Sequence, residues 1–169
     1  MGDVFKEQLV KRNSTAKDTA IRLCAGVLVL LVTIAAFMLI PGFAPIVAVA
    51  AVFGAMYLTS FLKVEYEYIF TNGELDIDAI YNRSRRKRMF SANVKEFEIM
   101  AHVEDPNHSG AFQGTQETLD FSSGSTGPDS YAFITNKNSK RVKVIIQPNE
   151  KMLKAISGVM SRAKLHIKR

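Results

Sequence analysis

From Leu23 to Leu62 the chain runs forty residues without a charged side chain, while charges are spread through the segments on either side. Pro41-Gly42-Phe43-Ala44-Pro45 interrupts this run near its middle. The two halves, Leu23–Ile40 and Ile46–Leu62, are each about the length a helix needs to cross a hydrocarbon layer of roughly 30 Å. In lipid every backbone amide must be paired within its own segment, so such runs are helical if they lie in a membrane. The pattern predicts a transmembrane helical hairpin over residues 23–62, with helices over about 20–40 and 45–62. Thr15-Ala16-Lys17-Asp18 has the form of a capping box with Asp in place of Glu, which starts the first helix near Ala16.

After Leu62 the period changes to two, with no linker between. Val64–Thr71 alternates, Asn72-Gly73 is the strongest short hairpin signal, and Glu74–Tyr81 alternates again. A two-residue turn sets Phe70 opposite Leu75, Tyr68 opposite Ile77, Tyr66 opposite Ala79 and Val64 opposite Tyr81. All the apolar residues then share one face, and Glu65, Glu67, Asp76 and Asp78 share the other; a slip of one residue would scramble both. More strand follows from Met89, with Phe97, Ile99, Ala101 and Val103 at period two. Glu104–Ser130 is rich in Gly, Ser and Thr and predicts a flexible insertion with one short strand near Leu119–Phe121. Tyr131–Thr135 and Arg141–Ile146 form a second hairpin. Asn149 caps a final helix over about 149–165, with Leu153, Ile156, Met160 and Ala163 as its apolar stripe. The fold class is α+β: a helical hairpin, then an antiparallel sheet or partly closed barrel with a C-terminal helix.

Charge adds a direction. Residues 1–22 carry five Lys/Arg against three acids, residues 63–169 carry seventeen against thirteen, and the central turn carries none. An excess of Lys and Arg on both flanks puts both termini in the cytoplasm and the turn outside. Residues 1–22 read as a short cytoplasmic lead, either an amphipathic anchor built on Val4, Phe5, Leu9 and Val10 or a frayed end; residues 63–169 read as the soluble domain. The apolar run is too long for the core of a signal peptide and a second run follows it at once. Lys6 stands where a myristoylation motif wants Ser or Thr. Cys24, the lone cysteine, cannot form an intrachain disulfide.

The first β-hairpin returns the chain to the level of the headgroups at Arg83, Arg85, Arg86, Lys87 and Arg88. Each basic residue at an anionic surface is worth about 1 kcal/mol, so this run reads as a clamp on the cytoplasmic leaflet. The competing reading continues Arg86 and Arg88 into a third strand, where they neutralise the acidic face. Nucleic acid is disfavoured because no stacking aromatics accompany the run. Small residues of the second helix, Ala44, Ala48, Ala50, Ala51, Gly54 and Ala55, suit close helix packing, within the hairpin or against a partner or second copy.

Chemistry is sparse. His102, Glu104, Asp105 and His108 bring four potential metal ligands into seven residues, but without the spacing of a helical metal pair, and Asp105-Pro106-Asn107 is ordinary turn chemistry. The acidic hairpin face has no pocket to push two carboxyl pKa values apart and reads as solvated surface. No phosphate loop, nucleophile elbow or other catalytic constellation is present, and no cofactor is expected.

Glu65–Asp78, Tyr81–Arg88 and Gln147–Leu153 resemble a family of small bacterial membrane proteins of unknown function, and the order of elements resembles bacterial pleckstrin-homology-like modules beside membrane hairpins. The resemblance implies a fold and a location in the bacterial cell membrane; it carries no activity and no functional residues. The function expected is a non-enzymatic, membrane-anchored binding or adaptor module facing lipid and a protein partner. The alternative is an accessory subunit docking through its second helix, and the least favoured is a metal-dependent enzyme.

Overall fold

The computed structural model describes residues 4–125, 127–161 and 164–166. They form two compact units. One comprises Ser14–Val64 and Tyr81–Arg85; the other comprises the described residues of Met1–Asn13, Glu65–Ile80 and Arg86–Arg169.

The first unit is a helical hairpin. Helix α1 (Ala16–Leu39) opens on the capping box: Thr15 Oγ1 accepts the Asp18 N–H at 3.2 Å and Asp18 Oδ2 accepts the Thr15 N–H at 2.9 Å. Helix α2 (Ala44–Ser60) starts with Pro45 in its first turn, where a missing N–H costs nothing. The two helices pack together through small side chains: Ala25, Val29, Thr33 and Ala36 of α1 and Ala44, Ala48, Ala51 and Ala55 of α2 are the shielded positions. Nearly every large apolar side chain points outward, Leu28, Leu31, Phe37 and Phe53 among them. The hydroxyls turn inward instead. Thr33 donates to the Val29 carbonyl and Thr59 to the Ala55 carbonyl, each at 2.8 Å, so neither adds an unpaired donor to the apolar surface.

The second unit is built of two sheets, and its first strand precedes the hairpin. Residues expected as an amphipathic anchor or frayed lead form strand β1 (Phe5–Lys11), which pairs antiparallel with β2 (Val64–Thr71) from Phe5 opposite Thr71 to Lys11 opposite Glu65. A strand edge more than fifty residues away supplies the partner that local spacing does not reveal. Strands β3 (Glu74–Tyr81) and β4 (Arg85–Asn93) complete a four-stranded sheet in the order β1-β2-β3-β4. The Asn72-Gly73 turn has positive φ at both central residues, as a type I′ hairpin turn requires.

The second sheet contains β5 (Ile99–His102), β6 (Glu117–Asp120), β7 (Tyr131–Lys137), β8 (Lys140–Ile146) and β9 (Leu165–His166), in the order β6-β8-β7-β5-β9. A short 3₁₀ turn at Val94–Glu96 precedes β5, and Met100, Ala101 and His102 are all buried, so both faces of that strand are covered. Tyr68, Phe70, Leu75 and Ile77 from the first sheet and Phe133 and Val144 from the second make one core, with Phe97 stacked on Phe133 at 3.9 Å. Helix α3 (Glu150–Val159) closes it with Met152 and Ile156, and Asn149 Oδ1 caps its Met152 N–H at 2.8 Å. The helix is shorter than the predicted 149–165. Leu165–His166 leave the helical path and pair parallel with β5, and Ala163 lies outside the described residues.

The Gly/Ser-rich segment is tied down by two side chains of β8 and its exit. Gln147 accepts the Ser123 N–H at 2.9 Å and donates to the Ser125 carbonyl at 2.8 Å. Arg141 donates to the Gln113 and Ala111 carbonyls and to Glu98. Burial raises the Tyr68 phenol far above its usual range, and its hydroxyl donates to the Phe121 carbonyl at 2.6 Å.

Candidate functional site

The basic run divides between Arg85 and Arg86. Arg86 Nη2 lies 2.6 Å from Glu67 Oε2 and 2.8 Å from Oε1; Arg88 reaches Asp76 Oδ2 and Asp78 Oδ1, both at 2.8 Å. This is the third-strand neutralisation, and it corrects one expectation. Glu67 and Asp78 are buried at 3% and 4% exposure, so this face is not solvated surface. Burial, then a shared hydrogen bond with Glu7 from β1, raises the Glu67 carboxyl above its ordinary value against the pull of Arg86. The hydrogen bond to Asp78 raises the Arg88 guanidinium. β4 changes face within itself. Arg88 and Ser91 both meet acids of β3, while Met89 and Phe90 between them both pack on the core.

Arg83 and Arg85 belong to the hairpin unit. Their turn is fastened there by the Asn82 N–H, which donates to the Lys63 carbonyl just past α2 at 2.9 Å. The Ser84 N–H closes the turn on the Tyr81 carbonyl at 3.1 Å, with φ of 48° at Asn82 and 54° at Arg83. Arg83, Arg85 and Lys87 are exposed.

A second feature lies along β1. The Asn72 N–H donates to the Val4 carbonyl, which fixes the parity: even residues of β1 turn their backbone groups to β2, and odd residues turn theirs outward. The Asn13 N–H obeys the same parity by donating outward to the Ser123 carbonyl at 2.8 Å. Gln8 bridges to the Gln147 carbonyl and the Asn149 N–H, each at 2.7 Å. Between these ties a cleft of about 320 Å³ is lined by Leu9, Lys11, Ser123, Asp129 and Asn149. Leu9 in this lining and Phe5 further along β1 are both exposed.

The family model described as "Bacterial PH-like domain (DUF6106)" matches residues 2–165. The chain belongs to this family. No curated protein and no solved structure matches it. The family match runs through β1, both helices and both sheets. The α+β arrangement of antiparallel strands with a closing C-terminal helix fits that description, and among the described residues one helix, α1, is long and apolar enough to cross a membrane.

The remaining candidates sort by contact. His102, on the face opposite the period-two residues Ala101 and Val103, is nonetheless buried at 1% exposure. Its Nδ1 accepts the Glu104 N–H at 3.2 Å and its Nε2 lies 3.0 Å from the Pro128 carbonyl, so both ring nitrogens are engaged within the domain. His108 pairs with Asp105 at 2.8 Å, which holds the Asp105 carboxyl below its usual value, and stacks on His166 at 3.8 Å. Among the described residues no three His, Cys, Asp or Glu side chains converge on a position for a metal ion. Along α2, Ala44, Ala48, Ala51 and Ala55 are shielded, while Ala50 and Gly54 are exposed, with open space where a Cβ on Gly54 would stand. The tie of β1 into the sheet and the burial of the acids were not found from sequence. Phe5–Lys11 carries no regular apolar–polar alternation that would mark it as a strand.

Proposed function

We propose that this chain is a non-enzymatic binding module anchored in the membrane by two spans, with both termini and the PH-like unit in the cytoplasm. The observation that carries this reading is the pairing of β1 with β2. These strands are hydrogen-bonded neighbours in one sheet, yet α1 and α2 lie between them in sequence. A chain that enters the bilayer from β1 through α1 must return to the same side to supply β2, so the number of crossings is even. Helix α2, with 17 residues, spans about 25 Å, near the short end of what a crossing requires. The same pairing argues against cleavage after α1, which would remove an edge strand from the folded sheet. Lys17, Arg22 and Lys63 flank the open end of the hairpin, and the Ile40–Phe43 turn has no charge, which favours a cytoplasmic PH-like unit.

The surface offered to a protein partner is the outer edge of β1 with its cleft. Outward backbone groups at Leu9 and Lys11 suit the addition of an extended segment, and exposed Phe5 and Leu9 supply apolar contact. The alternative, an accessory subunit docking through α2, has Ala50 and Gly54 as its outward small residues. Crosslinking of the full-length protein in native membranes separates the two. Links from Lys6 and Lys11 support the strand edge, and links confined to the outer face of α2 support the subunit. Release of the chain into the supernatant by alkaline washing of membranes would defeat both.

A further inference from the structure

We infer that the outer edge of β1 takes one extended segment of a partner protein, antiparallel to β1, whose alternate residues read, from its N-terminus, acidic, apolar, basic and apolar. This rests on the adaptor reading of that edge and adds the chemistry of the partner.

The first argument is that the edge is open and its extent is set. Odd residues of β1 turn their backbone groups outward, and among the described residues nothing is bonded to those of Glu7, Leu9 and Lys11. At Asn13 the edge is closed by the bond to the Ser123 carbonyl. An antiparallel segment therefore first pairs opposite Lys11 and runs on past Leu9 and Glu7 to Phe5. Each facing pair of outward residues can then exchange both backbone hydrogen bonds. A strand edge left uncovered is a template for such pairing. Among the described residues, the exposed large apolar side chains of the sheet unit are Val4, Phe5 and Leu9. They are gathered on this one strand and its start rather than scattered, which marks a contact surface.

The second argument is charge complementarity. The odd side chains of β1 share its outer face and read Phe5, Glu7, Leu9 and Lys11. Side chains directly opposite one another across strands interact, and opposite charges there stabilise while like charges destabilise. An acid suits the place opposite Lys11, an apolar residue that opposite Leu9, a base that opposite Glu7 and an apolar residue that opposite Phe5. Glu7 already shares a hydrogen bond with Glu67, so an incoming cation meets two carboxyl groups at that step. The edge does not match itself. A second copy paired antiparallel over Phe5–Lys11 would set Phe5 opposite Lys11 and Glu7 opposite Leu9, an apolar residue against a charge at every step.

The experiment is fluorescence anisotropy of short labelled peptides with the full-length protein in mild detergent. The matched peptide carries glutamate, valine, lysine and valine at alternate positions with threonine between; the reversed peptide exchanges its glutamate and lysine. The wild-type chain should bind the matched peptide about tenfold more tightly. The double variant E7K/K11E should invert that preference and hold its melting temperature, since the new cation lies beside Glu67. N-methylation of the valine that faces Leu9 should weaken binding about tenfold or more, because it removes a backbone donor. Equal binding of the two peptides, binding of neither, an unchanged preference in E7K/K11E, or binding that survives N-methylation would overturn the inference. A dimer of the chain that E7K dissociates would overturn it too, since a second copy would then hold the edge. Crosslinks from Lys6 and Lys11 to a partner that lacks such a segment defeat the pattern and leave the adaptor reading standing; loss of both the links and the peptide binding defeats both.

Discussion

Phe133 and Phe53 are the same side chain in opposite surroundings. Phe133 is wholly buried, stacked on Phe97 in the core of the sheet unit; Phe53 is 67% exposed on α2. The contrast holds across the two units. In the sheets, apolar residues alternate with polar ones and point at one another. In the hairpin, mostly alanines with a few threonines and valines are shielded, and most of the large apolar side chains face away from the protein. A surface of that kind suits a solvent as apolar as itself, where small residues rather than large ones draw helices together. One chain thus follows two packing rules, and the boundary between them passes through its basic run.

The largest effect that separates the rules is core truncation. Phe133→Ala should cost the sheet unit about 3–5 kcal/mol, read as thermal unfolding of the full chain in detergent. Phe53→Ala should leave that transition within about 0.5 kcal/mol, since no packed neighbour loses its contact. Comparable losses from both would mean that the hairpin face is packed on protein.

Arg88→Ala tests the boundary itself and should come next in size. It leaves Asp78 buried without its guanidinium, a loss of about 2 kcal/mol once the half-exposed arginine is discounted for solvent. Arg85→Ala should change stability by less than about 0.5 kcal/mol. If the two variants melt alike, the run does not divide where the ion pairs say it does.

The smallest effect is a pH dependence carried by Glu67. Its carboxyl titrates above the ordinary value in the folded chain, so the folded state holds that proton longer than the unfolded state. Its contribution to stability is therefore present below the ordinary carboxylate pKa and is lost as pH rises through the raised one. Asp105 has the opposite sign: it stabilises above its ordinary value and loses that contribution as pH falls. In Glu67→Gln the loss of stability on raising pH above the carboxylate range should shrink, measured by urea unfolding from pH 4 to 7. An unchanged slope would show that Glu67 is not the group responsible.

Local chemistry was legible in the sequence wherever it was self-contained. The capping box at Thr15 and Asp18, the Asn72-Gly73 turn and the Asn149 cap are each decided by residues within one turn of each other. The acidic face of the first β-hairpin was also readable, and so was its neutralisation by Arg86 and Arg88. What could not be read depends on distant partners. Phe5–Lys11 becomes a strand only because β2 returns beside it, and Glu67 becomes buried only once β1 and Arg86 cover it. His102 is buried because the far face of β5 is covered as well, its ring meeting the Pro128 carbonyl from a distant loop. The charges of the basic run were plain, but their division needed the face change at Met89 and Phe90.

The most direct test of two crossings between paired strands is cysteine labelling in intact cells. In a Cys24→Ala background, single cysteines at Lys6, Gly42 and Lys140 are exposed to a membrane-impermeant maleimide. The account predicts labelling at position 42 alone, with positions 6 and 140 reacting only after lysis. Labelling that puts positions 6 and 140 on opposite sides of the membrane would contradict it.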